Sequence, residues 1–138
     1  MANEAVIIEL LGDAGDVKPY TVADGTGISK GSLMVLTSDP NTITKSENLG
    51  EAFVGIASVD KEAGDGSTRL GVWTNVVADL TQNGDEAATV GDFAVISGAN
   101  LIGAMCEAES ALSAARMIVG QYEETATASE VVRVYVHR

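Results

Sequence analysis

Short apolar runs punctuated by glycine- and aspartate-rich turns recur along the chain, and several alternate with the two-residue period of a half-buried strand. The plainest case is the C-terminal end, where Val132, Val134 and Val136 alternate with Arg133, Tyr135 and His137, one face buried and one wet. The central stretch Gly50–Leu80 reads as strand, hairpin tip, strand. Ala52–Val59 is a buried run broken by Gly55, Lys61–Thr68 is a polar turn holding Asp65-Gly66, and Arg69–Leu80 carries Leu70, Val72, Trp73, Val76, Val77 and Leu80. The Asp-Gly pair marks the turn. Upstream, a strand at Ser32–Thr37 meets the turn Ser38–Asn41 and a brief return at Thr42–Lys45. Downstream, a polar loop around Asn83-Gly84-Asp85 leads to strands at Phe93–Ser97 and Leu101–Met105, separated by Gly98-Ala99-Asn100. Met117–Tyr122 and Glu130–His137 close the chain as two further strands. Only Glu107–Arg116 favours a helix, with Ala108, Ala111, Leu112 and Ala115 on one face.

The same order of signals occurs twice. Gly31-Ser-Leu-Met-Val-Leu-Thr matches Gly91-Asp-Phe-Ala-Val-Ile-Ser, and each is followed by a turn and a short strand, holding Ile43 in one copy and Leu101 in the other. Phe53-Val54-Gly55 then matches Ile118-Val119-Gly120, and Arg69–Val72 loosely matches Val131–Val134. Two related β modules closing on each other predict a mainly β fold: a small antiparallel β-barrel or sandwich with at most one short helix.

Ala5–Leu11, AVIIELL, is extended by its Val-Ile-Ile cluster. Two readings stand: a first strand of the chain's own sheet, or an arm that adds to the sheet edge of another protein. The acidic, glycine-containing connection Gly12–Val17 favours the arm. The expected organisation is therefore an extended N-terminal arm at 1–18 and a single β domain at 19–138, with Val6, Ile7, Ile8, Leu10 and Leu11 as the arm's contact residues.

Composition narrows the partners. The 138 residues include 8 Lys+Arg against 20 Asp+Glu, a formal charge of −12. The basic residues are scattered, so neither nucleic acid nor an anionic membrane is an expected partner. At 46% hydrophobic residues the chain can build a core, but with 4% aromatics that core must be Val, Ile, Leu and Ala. Cys106 is the only cysteine, which excludes an internal disulfide. No apolar run approaches the ~20 residues of a membrane helix, and Glu4 and Glu9 flank Val6–Leu11 where a signal peptide would be basic. The expectation is a soluble protein.

Chemistry is sparse. Gly25-Thr-Gly27-Ile-Ser-Lys-Gly31 has neither the glycine spacing of a dinucleotide loop nor the lysine position of a P-loop, and reads as a turn. Asp60, Glu62 and Asp65 admit a loose calcium reading, although an EF-hand begun at Asp60 would meet Asp65 and Gly71 where it needs Gly and Glu. His137 has no partners for a triad or a zinc site and reads as a solvent-facing strand residue. Cys106 has no basic neighbour to activate it. No enzyme, cofactor or metal site is expected. Trp73 and Tyr122 stand out because aromatics are scarce; core packing and surface contact are the two readings.

The order of elements resembles that of the small capsid decoration, or cement, proteins of tailed viruses, the bacteriophage-like particles. The likeness is carried by Lys30–Leu36, Phe53–Ala57, Ala63–Asn75, Val90-Gly91-Asp92 and the ending Ile118–Gln121 to Val131–Val136. It spans roughly Val22 to the C-terminus and rests on order and spacing rather than on any single motif. It implies a β-rich, barrel-like virion protein that binds the major capsid protein on the outer surface of the head as a homotrimer. There it would stabilise the head against the pressure of packaged DNA, after synthesis in the host cytoplasm. On this reading the apolar strands near Trp73 and Val119 supply the contacts between copies. The alternative is a free-standing β-sandwich module for glycans or a cell-surface partner, which would require an exposed aromatic platform.

Overall fold

The computed structural model describes residues 3–85, 87–105 and 115–137. Eleven strands account for nearly all the regular structure: β1 Val6–Leu10, β2 Lys18–Thr21, β3 Leu33–Leu36, β4 Ile43–Lys45, β5 Phe53–Ala57, β6 Arg69–Trp73, β7 Asn75–Gln82, β8 Phe93–Gly98, β9 Leu101–Ala104, β10 Ile118–Tyr122 and β11 Val131–His137. The expected helix at Glu107–Arg116 lies outside the described residues except for its last two positions. Those belong to a 3-10 turn, Ala115–Met117, that runs into β10.

The second module is a closed five-stranded barrel in the order β7-β11-β10-β8-β9, with β9 returning to β7 through the parallel pairs Thr81↔Leu101 and Gln82↔Ile102. The first module repeats that order as β2-β6-β5-β3-β4. A parallel bridge, Thr21↔Thr42, stands where the barrel closure stands in the second. Antiparallel neighbours joined by short turns, with edges paired back on themselves, leave few strand edges for aggregation.

The duplication extends to register. Tyr20↔Leu70 in one module corresponds to Leu80↔Val132 in the other, and Ile56↔Trp73 to Gln121↔Tyr135. Met34↔Gly55 corresponds to Ala94↔Gly120. Even the isolated bridges repeat, Ile28↔Lys61 and Ala88↔Ala126. The turn residues Asn41 and Asn100 share left-handed φ values of 53° and 55°, which Asn tolerates better than most residues. Register aligns Ile43 with Ile102, one position beyond Leu101, because Leu36↔Ile43 corresponds to Ile96↔Ile102.

Gly55 and Gly120 occupy one position of the duplicated pattern for one physical reason. A Cβ on Gly55 would lie 2.6 Å from the Trp73 carbonyl oxygen, and a Cβ on Gly120 would collide with that of Tyr135. Only glycine lets the neighbouring backbone approach this closely.

The core has two main parts. The inside of the first module is filled by Tyr20, Val22, Ile28, Met34, Ile43, Val54, Ala57, Leu70 and Val72. The outer face of the same module, Leu33, Val35, Phe53, Ile56 and Trp73, joins the interior of the second barrel in one continuous cluster. Phe53 and Ile56 are completely buried there, and each such side chain contributes roughly 1.5–3 kcal/mol. Polar groups fix the register of this seam. The Leu33 N–H donates to Asn100 Oδ1 at 2.9 Å, and the Asn100 N–H donates to Ser46 Oγ at 3.0 Å. The β8–β9 turn of the second barrel is thereby pinned to β3 and the end of β4.

Candidate interaction surface

The N-terminal segment is laid against the chain's own sheet. β1 pairs antiparallel with β7 through Val6↔Asp79, Ile7↔Ala78, Glu9↔Val77 and Leu10↔Val76, with a bulge at Ile8. Backbone bonds staple it at both ends, Ala5 N–H to Gly31 O at 2.8 Å and Leu11 N–H to Asn75 O at 3.0 Å. The acidic, glycine-containing connection at Gly12–Val17 is a hydrogen-bonded turn. Gly15 O accepts from the N–H groups of Thr74 and Asn75, and Asp16 accepts from Thr74 Oγ1 at 2.8 Å and Asn75 Nδ2 at 2.9 Å. Those bonds need Ala14 and Asp16 at φ 52° and 53°, a conformation that sequence inspection does not announce.

The five contact residues expected on this segment divide between two environments. Ile7 packs against the main core, and Leu11 is half-buried. Val6, Ile8 and Leu10 are 60%, 45% and 42% exposed. They lie along a strand whose outer edge pairs with no other strand among the described residues. Beside them an open hollow is lined by Ala5, Val6, Ile7, Leu10, Lys30, Gly31 and Trp73. The Lys30 ammonium sits 5.5 Å from the centre of the Trp73 ring, within cation–π range. Exposed apolar side chains on an edge with unpaired backbone groups are the elements of a strand-addition site.

Trp73 forms the floor of this hollow while burying most of its ring in the core. Val119, the other residue expected to touch a second copy, is fully buried inside the second barrel. On its strand, the register shift between Ile118 and Gly120 leaves Ile118 and Gln121 on the outer face while Val119 turns inward. Tyr122 is likewise internal, its hydroxyl donating to Gln82 Oε1 within the barrel.

A second open hollow lies on that outer face, lined by Phe93, Ile118, Gly120, Gln121, Tyr135 and His137. Phe93 is 52% exposed. Tyr135 and His137 stack with ring centres 5.6 Å apart. Nothing in the sequence marked Phe93 as exposed, since it opens a strand of otherwise buried residues.

The acidic hairpin after β5 is organised around an ammonium. Lys61, 5% exposed, donates from Nζ to Asp24 O at 2.7 Å, Glu62 O at 3.0 Å and Asp65 Oδ1 at 3.0 Å. Asp65 also accepts from the N–H groups of Ser67 and Glu62. The Ser67 N–H bond, then the Lys61 bond, hold its carboxyl below its ordinary value. Asp60 Oδ1 is engaged by the Lys30 N–H at 2.7 Å. Of the carboxylates considered for calcium, those of Asp60 and Asp65 therefore already accept from backbone donors and, at Asp65, from an internal cation. Among the described residues no group of three His, Cys, Asp or Glu side chains converges as a metal site. The glycine-containing stretch Gly25–Gly31 is followed by β3 rather than by a helix, and Ile28 within it bridges to Lys61. Cys106 lies outside the described residues. A scan of protein-family models finds none that matches this chain, and a search of curated proteins finds no match either.

Proposed function

We propose that this chain is a structural protein that coats the outer surface of a viral head and stabilises it, with the major capsid protein as its partner. The observation that carries the reading is the apolar edge strand β1, with Val6, Ile8 and Leu10 exposed and Val6 and Leu10 lining the Trp73–Lys30 hollow. The sequence resemblance to tailed-virus decoration proteins supplies the partner. Cementing a shell asks for contact surface rather than chemistry, and main-chain bonds along one strand edge with three anchoring side chains provide it. Copies held together on the shell, as the threefold arrangement of such proteins implies, multiply a modest single contact because each further contact is intramolecular. An acidic surface also resists adsorption to the genome.

The test is binding of purified protein to heads of the virus that encodes it, followed by cosedimentation and cryo-electron microscopy. Val6→Asp with Ile8→Asp is expected to abolish decoration while leaving the melting temperature nearly unchanged, since both side chains face solvent. Full occupancy by this double variant would overturn the assignment of the surface. Heads that never bind the unaltered protein would overturn the function.

The Phe93–Tyr135–His137 hollow favours the second reading, a glycan-binding module, because it is an exposed ring surface of the kind sugars stack on. Retention of the unaltered protein on a glycan array, lost with Phe93→Ala, would support it.

A further inference from the structure

The two modules are built alike, yet their equivalent faces are covered to different extents. In the first module, Leu33, Phe53, Ile56 and Trp73 point outward and are buried against the second barrel. The register pairs place Phe93, Ile118, Gln121 and Tyr135 at the corresponding positions of the second module. There part of the same face is covered by the chain itself, with Val95 buried against Met117 and Met105 packed beside it, while the part around Phe93, Gln121 and Tyr135 forms the open hollow described above.

The complementary surface is also duplicated. What covers the outer face of the first module is the turn end of the second barrel, where Asn100 reaches across to Leu33 and Ser46 and Ile96 is fully buried. The corresponding end of the first module carries Asn41 in the same left-handed conformation, exposed, and Leu36 in place of Ile96. Leu36 is 42% exposed. Each chain thus holds one seam already made and, at the equivalent places, a partly open apolar face and an exposed turn end, with Met105 standing where Ser46 accepts the Asn100 N–H.

We infer that the outer face of the second barrel, around Phe93, Ile118 and Tyr135, binds a second copy of this chain at the open turn end of its first barrel, around Leu36 and Asn41. The contact uses between chains the apolar part of the seam that joins the two modules within one. It is heterologous, so repetition gives a closed ring or an open chain rather than a two-fold dimer. The outer face of the second module is more polar than its counterpart, with Gln121 where the first has Ile56 and Tyr135 where it has Trp73. That composition suits an interface that must stay soluble when unpaired. The formal charge of −12 opposes association, so the contact tightens as salt rises. The inference rests on the internal duplication and not on the coat reading.

Sedimentation velocity of the intact protein over a range of concentrations tests it, at ionic strength about 0.5 M, where screening acts within a few Å. Species larger than the monomer are expected. Phe93→Glu and Leu36→Glu are each expected to weaken association by about tenfold or more, since either places a charge in the apolar contact. The decisive experiment mixes the two variants. Phe93→Glu retains an intact Leu36 end and Leu36→Glu an intact Phe93 face, so the mixture should form a dimer that grows no further. Both positions are exposed, and circular dichroism with thermal melting checks that each variant is folded. Should either fail to fold, hydrogen exchange of the unaltered protein at low and high concentration takes its place. Concentration-dependent protection is then expected in the β3–β4 turn and in β8 and β10 together. A monomer at all concentrations, an assembly indifferent to both variants, variants that do not complement, or protection elsewhere would each overturn the inference.

Discussion

Lys61 shows what a single side chain contributes to this fold. Its ammonium is almost without solvent and ties the tip of the β5–β6 hairpin to the turn at Asp24, 37 residues away in sequence, through the Asp24 carbonyl. Replacing it by methionine preserves the stem and removes three donors, leaving two carbonyls and a carboxylate oxygen to find water. Lys61→Met is expected to lower unfolding free energy by about 2–4 kcal/mol, read as a reduced urea midpoint with unchanged slope. A loss below about 0.5 kcal/mol would mean that solvent replaces the ammonium at no cost. The sequence placed the carboxylates of this loop correctly at a polar hairpin tip. It could not show the cation among them, because the fixing contact is to a distant backbone carbonyl and leaves no local pattern.

Strands were the most legible elements, and β1 shows where that legibility stops. Its Val-Ile-Ile cluster identifies extended chain, but the same residues serve an edge strand or a free arm, and local pattern does not distinguish them. The outcome depends on the open edge of β7, whose other half is taken by β9, and on the turn at Gly12–Val17. The bulge at Ile8 also separates Val6 and Leu10, which simple alternation would group: Val6 pairs with Asp79, and Leu10 with Val76 on the face of Ile7 and Ala78. Ile7 packs against the core, while Val6, Ile8 and Leu10 are exposed. Ile7→Asp should therefore cost about 2–4 kcal/mol, from lost packing plus a buried charge, whereas Ile8→Asp should stay within about 0.5 kcal/mol of the unaltered protein. Denaturant midpoints for the pair measure the difference. Equal effects would mean that β1 is not held against β7 in solution.

For the molecule as a whole, the glycine punctuation exposed the duplication: Gly31 and Gly91 open equivalent strands, and Gly55 and Gly120 accept equivalent backbone contacts. The seam between modules was not legible, since equivalent inward positions differ in size and polarity. Ala57 corresponds to Tyr122, and Val22 to Gln82, by register; one barrel is apolar where the other holds a hydroxyl–amide pair. The acid response belongs to this scale too. Asp16 is held below its ordinary value of 3.8, first by the Asn75 amide and then by the Asp13 N–H. Asp65 is lowered likewise by the Ser67 N–H and Lys61. Both carboxyls bind a proton less readily folded than unfolded, so their bonds stabilise the fold above the ordinary value and cease to do so as pH falls through the folded values. Against this, protonating part of the acidic excess relieves self-repulsion. That relief begins as soon as acid neutralises any part of the excess, whereas the bonds of these two are lost only as pH falls through their lowered values. The melting temperature should accordingly hold or rise slightly from pH 7 to about 4.5 and fall below about pH 4. Because Asp16 clamps the turn behind β1 and Asp65 the hairpin tip, both modules loosen together. Asp16→Asn with Asp65→Asn should begin less stable at pH 7 and lose less between pH 4 and 3 than the unaltered protein. A melting temperature that climbs steadily to pH 3, or a double variant with an undiminished acid drop, would show that repulsion rather than these two clamps governs the response.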